Sequence, residues 1–281
     1  MPDSIRERFA QIVAGPEEDL NLAEAALLIA KEEYPQLDVP AYLHRLDLLA
    51  EGIRPRLAGD TSPARIVQEI NRHLFQEEGF TGSNASEYYD PRNSFLNEVL
   101  DRKVGIPITL SVVYMEVGQR LGLPLVGVSF PGHFLVKHRD ADGEVVLDPF
   151  LGGSSLSQED LENKLREIYG TPAPAMAQLP RLLAATSKKE ILVRMLRNLK
   201  GIYLQRSDFT KALSAADRIL LIIPDFPLEV RDRGIIYQRL ECFQAAITDY
   251  RRYLQLTPNA EDAGTIRSLI ITLQRAAARL N

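Results

Sequence analysis

Apolar residues recur at helical spacing through roughly the first hundred and twenty positions of the chain and then, beyond Gly122, switch to alternation. Asp19–Glu33 is rich in Ala, Leu and Glu with apolar positions three and four apart, and this predicts a helix that stops before Pro35. A second helix is expected after Pro40, with Tyr42, Leu43, Leu46, Leu49 and the small Ala50 on one stripe. Ser62 followed by Pro63 reads as an N-cap with proline in the first turn, and the helix continues through Ile66, Ile70, Leu74 and Phe75 towards Gly79. Gly79–Asp90 is polar and reads as loop. Pro107 opens a further helix, Ile108 to Leu121, which Gly122 closes.

After that glycine, Leu125–Phe130, His133–His138 and Glu144–Asp148 are strand candidates, the last two flanking the turn signal Arg139-Asp-Ala-Asp-Gly. Ser157 with Asp160 three residues on caps another helix, ending near Gly170. Thr171–Pro180, with three prolines and three alanines, reads as a linker. The expected domains are therefore residues 1–170, a linker over 171–186, and a helical module over 187–281.

That last module repeats itself. A shift of 34 residues superposes Ile202 on Ile236, Tyr203 on Tyr237, Phe209 on Phe243, Ala212 on Ala246, Leu220 on Leu254 and Pro224 on Pro258. This is the tetratricopeptide period, in which the small Ala lets paired helices approach and the Pro ends the second helix. Gly234 occupies a position where the repeat wants glycine, whereas the first copy has Lys200 there.

Composition changes the picture only in part. The 281 residues are 45% apolar and 25% charged, which excludes a disordered or fibrous chain, and apolar runs such as Ile219–Pro224 are too short to cross a bilayer. The start lacks a secretory signature, so a cytoplasmic location is expected. The net charge of −5 divides unevenly: from Arg181 onward 17 Lys and Arg face 10 Asp and Glu, whereas residues 1–180 carry 16 against 28. The basic excess is scattered rather than striped, which argues against nucleic acid. It raises the expectation that Arg194, Arg197, Lys200, Arg231 and Arg233 line a concave face for an acidic peptide.

Candidate chemistry centres on His133 and Asp148. If the hairpin loop holds two or four residues, Arg139 pairs with Glu144, Leu135 with Asp148, and His133 lies diagonal to Asp148 on the same face. A three- or five-residue loop puts them on opposite faces. A carboxylate that orients an imidazole is half of a nucleophilic triad, although such a pair also serves structure. Thr109 and Ser111 fall in the first turn of the Ile108 helix, where backbone N–H groups favour a developing anion; the alternative is that they bond within that turn. Asn93 and Asn97 read as core hydrogen-bonders or cleft lining, and Gly152-Gly153 as a tight turn beside His133. His44 and His73 read as helix-surface residues and His138 as solvated. No metal or cofactor motif is present: one Cys, no paired His at helical spacing, no EF-hand, no phosphate loop.

Four stretches carry a resemblance: Asn93-Ser-Phe-Leu-Asn-Glu-Val-Leu, Gly105-Ile-Pro-Ile-Thr-Leu-Ser, Phe130-Pro-Gly-His-Phe-Leu-Val and Leu147-Asp-Pro-Phe-Leu-Gly-Gly. With the Gly122-Leu-Pro turn, they are similar to the transglutaminase-like superfamily, and more closely to SirB-type proteins that join such a core to tetratricopeptide repeats. The resemblance implies an α+β fold: a helical N-terminal region, a degenerate papain-like core with a short antiparallel sheet, and an all-α repeat module. It carries over His133 and Asp148 as catalytic positions; Pro107, Gly132, Gly152 and Gly153, which lie within those stretches, are candidate cleft residues alongside Asn93 and Asn97. It does not carry over the nucleophile, because the superfamily's Cys belongs at the start of the Ile108 helix and the single thiol, Cys242, lies in the second repeat. The expected function is thus a binding, scaffold or regulatory protein that takes a protein or peptide partner through its repeats. The competing expectation is a hydrolase or acyltransferase using Ser111 or Thr109 with His133 and Asp148.

Overall fold

The computed structural model describes residues 2–140, 143–170 and 178–278. The chain divides into two compact units, one built on Gly15–Met195 and one on Leu196 onward together with Arg6–Ala14.

In the chain's first helix, α1 (Pro2–Ala14), Arg6 meets Asp217 at 3.6 Å and Ser214 Oγ at 3.3 Å, which ties this segment to the second unit. In the first unit, α2 (Leu22–Glu33) starts where the Asn21 side chain accepts from the Glu24 N–H, and α3 (Val39–Leu57) starts where Asp38 accepts from Ala41. The next helix, α4 (Pro63–Asn71), does not run to Gly79 as a regular helix; its last turn widens into a π-helical segment, Arg72–Glu77. Short strand β1 (Thr81–Gly82) pairs in parallel with β2 (Val104–Gly105), with α5 (Leu96–Arg102) between them in sequence. Helix α6 (Pro107–Arg120) then passes through the core: every residue from Pro107 to Gly118 is buried, including Glu116, Thr109 and Ser111. An apolar surface all round a helix can be satisfied only inside a domain, and α3, α4 and α5 pack around it.

The alternating region forms an antiparallel sheet of β3 (Val126–Val128), β4 (Leu135–Asp140), β5 (Gly143–Asp148), β6 (Ser154–Ser155) and β7 (Ala185–Thr186), in the order β6-β5-β4-β3-β7. One face packs Val128, Leu135 and Val146 against Leu161 and Leu165 of α7 (Gln158–Tyr169), and against Leu179 of α8 (Leu179–Leu182) with Leu183. The neighbouring positions of opposite parity, Val136 and Leu147, are buried as well, and α6 packs against β3 and β4. At these positions the sheet is thus buried on both faces.

Two expectations about boundaries shift. Residues 171–177 of the expected linker lie outside the described residues, and the rest of it is structured: α8 packs on the sheet, and Thr186 and Ala185 pair with Gly127 and Val128. The boundary between the units falls at Met195–Leu196, inside α9 (Lys188–Gln205), because the first turns of that helix pack with the sheet unit. Leucine-rich amphipathic helices carry no local mark of where one core yields to the next.

The second unit continues with α10 (Phe209–Ile222), α11 (Pro227–Arg239), α12 (Phe243–Leu256) and α13 (Ala263–Ala277), each packed on the next. The 34-residue offset maps the start of α10 onto that of α12. A Cβ at Gly234 would lie 2.8 Å from the Tyr250 ring, so glycine there is a packing requirement. The first copy reverses the sizes, with Lys200 and Ala216 at the equivalent positions.

Candidate functional site

His133 lies in the bend before β4 rather than on the strand, which begins at Leu135. The register pairs Arg139 with Glu144 and Val136 with Leu147, the even-loop alternative, so Asp148 ends β5 on the face that His133 approaches. His133 Nε2 stands 2.9 Å from both carboxylate oxygens of Asp148. Among the described residues no group hydrogen-bonds to Nδ1.

Asp148 is completely buried. Its Oδ1 accepts from the Phe150 N–H at 3.1 Å, and Oδ2 lies 3.2 Å from Lys164 Nζ on α7. Burial by itself raises the Asp148 pKa, but the hydrogen bond and charge of His133, followed by those of Lys164, outweigh it and hold the carboxyl below its ordinary range. The site therefore contains an ionised carboxylate with two basic neighbours. Lys164 escapes a sequence reading because its partner is sixteen positions away on a strand, and on α7 it looks like any solvated helix lysine.

The surroundings come from separate segments. Phe150 meets the His133 ring edge-on at 5.7 Å and packs so tightly on Gly82 that a Cβ there would be 2.6 Å from it. Gly132, at φ +62, turns the chain into His133 beneath Ile168. Gly153, at φ +74, lies against Asn71, which donates to its carbonyl at 2.8 Å while accepting the Tyr114 hydroxyl at 2.8 Å. Gly152 shares the left-handed turn at φ +70, so the pair makes the tight return expected of it. The Arg194 guanidinium donates to the His133 carbonyl at 2.6 Å and stands over the Phe134 ring at 5.4 Å.

The candidate nucleophiles do not join His133 by a hydrogen bond. Thr109 Oγ1 is fully buried, accepts from the Ile106 N–H at 3.1 Å and donates to the Asn93 carbonyl at 2.8 Å, half of a capping box. Ser111 is fully buried and its hydroxyl makes no hydrogen bond among the described residues. Pro107 is buried at the helix start, where it carries no reactive atom. Asn93 is wholly internal, donating to the Glu87 carbonyl and accepting from Arg102, and Asn97 is buried with its Oδ1 unbonded. Cys242 is exposed at the N-cap of α12 in the second unit.

Other sequence expectations need correction. His73 is not on the surface: it is buried in the π-helical turn, 3.0 Å from Glu77 and packed on Gly52. His138 is buried too, with Nδ1 2.9 Å from the Pro124 carbonyl oxygen. The basic face expected for an acidic peptide is neutralised internally. Arg197 and Lys200 both meet Glu229 at 2.6 Å, Arg231 meets Asp262 at 2.9 Å, and Arg233 meets Asp249 at 2.7 Å and Asp217 at 3.0 Å. Acidic residues scattered in sequence converge on these cations only through helix pairing. Among the described residues no cluster of three or more His, Cys, Asp or Glu could hold a metal, and no helix is long and apolar enough to cross a membrane.

Comparison with known proteins divides the chain within α9, close to the boundary between the two units. Residues 40–197 match a model described as transglutaminase-like superfamily, and residues 199–270 match one described as tetratricopeptide repeat. A UPF0162 protein of Xylella fastidiosa is 42% identical over 92% of this chain and 91% of its own. One from Vibrio cholerae is 34% identical over 90% of this chain and 93% of its own. Protein SirB1 of Salmonella typhimurium is 29% identical over 88% and 91%.

Proposed function

The chain belongs to the transglutaminase-like superfamily, and from that premise we propose that it is a peptide- or protein-binding, regulatory member in which the catalytic cleft serves recognition rather than covalent chemistry. One observation carries this reading. The imidazole–carboxylate pair is in place with Nε2 at 2.9 Å from Asp148, while Thr109 is committed to capping and neither hydroxyl bonds to His133. A general base must lie within hydrogen-bond reach of the proton it removes. An imidazole fixed by a buried carboxylate and open at Nδ1 can instead hydrogen-bond to a ligand's peptide group. The tetratricopeptide unit supports the same role, since such repeats are built as interaction surfaces.

Two experiments test the reading. Wild type and His133→Ala are treated with a fluorophosphonate and examined by intact mass. The expected result is no His133-dependent adduct; a stoichiometric adduct on Ser111 or Thr109 that disappears in His133→Ala would establish the hydrolase or acyltransferase reading instead. The amide spectrum is then followed while N-acetyl-phenylalaninamide is added. Resonances of Phe130–Leu135 and Asp148–Gly153 are expected to move, and their failure to move would remove the support for a recognition cleft.

A further inference from the structure

Arg194 departs from the charge arrangement of the rest of the molecule. Arg197, Lys200, Arg231 and Arg233 each meet a carboxylate at 2.9 Å or closer. Arg194 meets none among the described residues; its one protein acceptor there is the His133 carbonyl. It is also desolvated enough that burial lowers its pKa, and the ionisable group that acts on it is Tyr88, itself pushed up by burial and so neutral near pH 7. Arg194 is half-buried and rests on the Phe134 face, and a cation that has lost part of its water with no carboxylate beside it gains by meeting an anion.

Resting on the recognition reading above, we propose that Arg194 is the anion subsite of the His133 cleft and that it takes a carboxylate of a peptide ligand carrying an adjacent apolar group. With one N–H given to the His133 carbonyl, the guanidinium keeps further donors for a forked bond to a carboxylate. The apolar requirement follows from the cleft's neighbours: Phe150 edge-on to His133, and Ile168, which is 45% exposed, above Gly132. A carboxylate suits the charge better than a phosphate dianion, because Lys164 is already held by Asp148. The sequence hides this site because Arg194 falls among the regularly spaced basic residues that lead into the repeats.

The test titrates four probes into the full-length protein by amide NMR: N-acetyl-phenylalanine, N-acetyl-phenylalaninamide, N-acetyl-glutamic acid α-amide and inorganic phosphate. The free acid is expected to bind wild type about tenfold or more tightly than the neutral amide, as a charged hydrogen bond allows. That advantage, read as the ratio of acid to amide affinity within each variant, is lost in Arg194→Gln and partly returns in Arg194→Lys. The two acids separate a chain-terminal carboxylate from a side-chain one. Equal binding of acid and amide to wild type overturns the subsite, as does tighter binding of phosphate. An equal loss of acid and amide in Arg194→Gln also overturns it, since the arginine would then only position His133. If the amide binds but the acid gains nothing, the subsite fails and the recognition cleft stands; if the amide does not bind and the acid shows no Arg194 dependence, both fail.

Discussion

Replacing Asp148 with Asn perturbs the group on which the site depends while keeping its shape. The carboxylate is fully buried and contacts His133 Nε2 at 2.9 Å, the Phe150 N–H at 3.1 Å and Lys164 at 3.2 Å. Removing one partner of a buried ion pair costs about 3–5 kcal/mol, because the remaining charge is left uncompensated. The Asn carbonyl can keep one acceptor bond, which reduces the expected loss to roughly 2–3 kcal/mol. In a unit of this size that corresponds to a fall in Tm of about 5–10 °C. The pH dependence identifies the cause. Folding depresses the Asp148 pKa, so its contribution is complete above the unfolded carboxyl value of about 3.9 and disappears as pH falls through the folded value. Thermal unfolding from pH 7 to pH 3, with hydrogen exchange of β4 and β5 to report on this unit, should show the gap between wild type and Asp148→Asn at neutral pH and its narrowing on the acid side. A gap under about 1 °C at pH 7, or one that persists unchanged to pH 3, refutes the argument from a buried ionised carboxylate.

Gly153→Ala imposes a left-handed φ of +74 and places a Cβ 1.9 Å from Asn71 Oδ1, breaking the bonds from Asn71 to Gly153 and from Tyr114 to Asn71; a loss of roughly 2–4 kcal/mol in urea unfolding is expected. Thr109→Val removes the bonds to Ile106 and Asn93 and should cost about 1–2 kcal/mol by the same measurement, while N-acetyl-phenylalaninamide binding is unchanged. In the repeat unit, Gly234→Ala drives a Cβ against Tyr250, for a loss of about 1–3 kcal/mol. In Tyr250→Ala that loss should shrink by at least about 1 kcal/mol, a favourable coupling in a double-mutant cycle.

Much of this was legible along the chain because it depends on local chemistry. The cap at Ser157, the helix opened by Pro107, the helix-to-strand switch at Gly122 and the 34-residue repeat all arise from short-range geometry that neighbouring residues impose. The His133–Asp148 pair could be drawn as well, since β-pairing reduces two strands to a choice between even and odd registers. That choice itself was not available from the sequence, nor was the displacement of His133 into the bend ahead of β4.

Local chemistry along the chain was enough for most of the helices and strands, the family and the missing thiol at the helix start, but not for the π-helical turn, β1, α8 or β7. Tertiary structure decided which polar groups have company. Burial and long-range charge depend on segments that are distant in the chain: Lys164 reaches Asp148 from α7, Glu229 and Asp232 neutralise Lys200, and His73 and His138 turn inward. Arg194 is left to His133's carbonyl and a neutral tyrosine. A count of charges along a chain cannot separate these cases, because the energy of an ionic group is set by what lies within a few ångströms of it and by how much water it has lost.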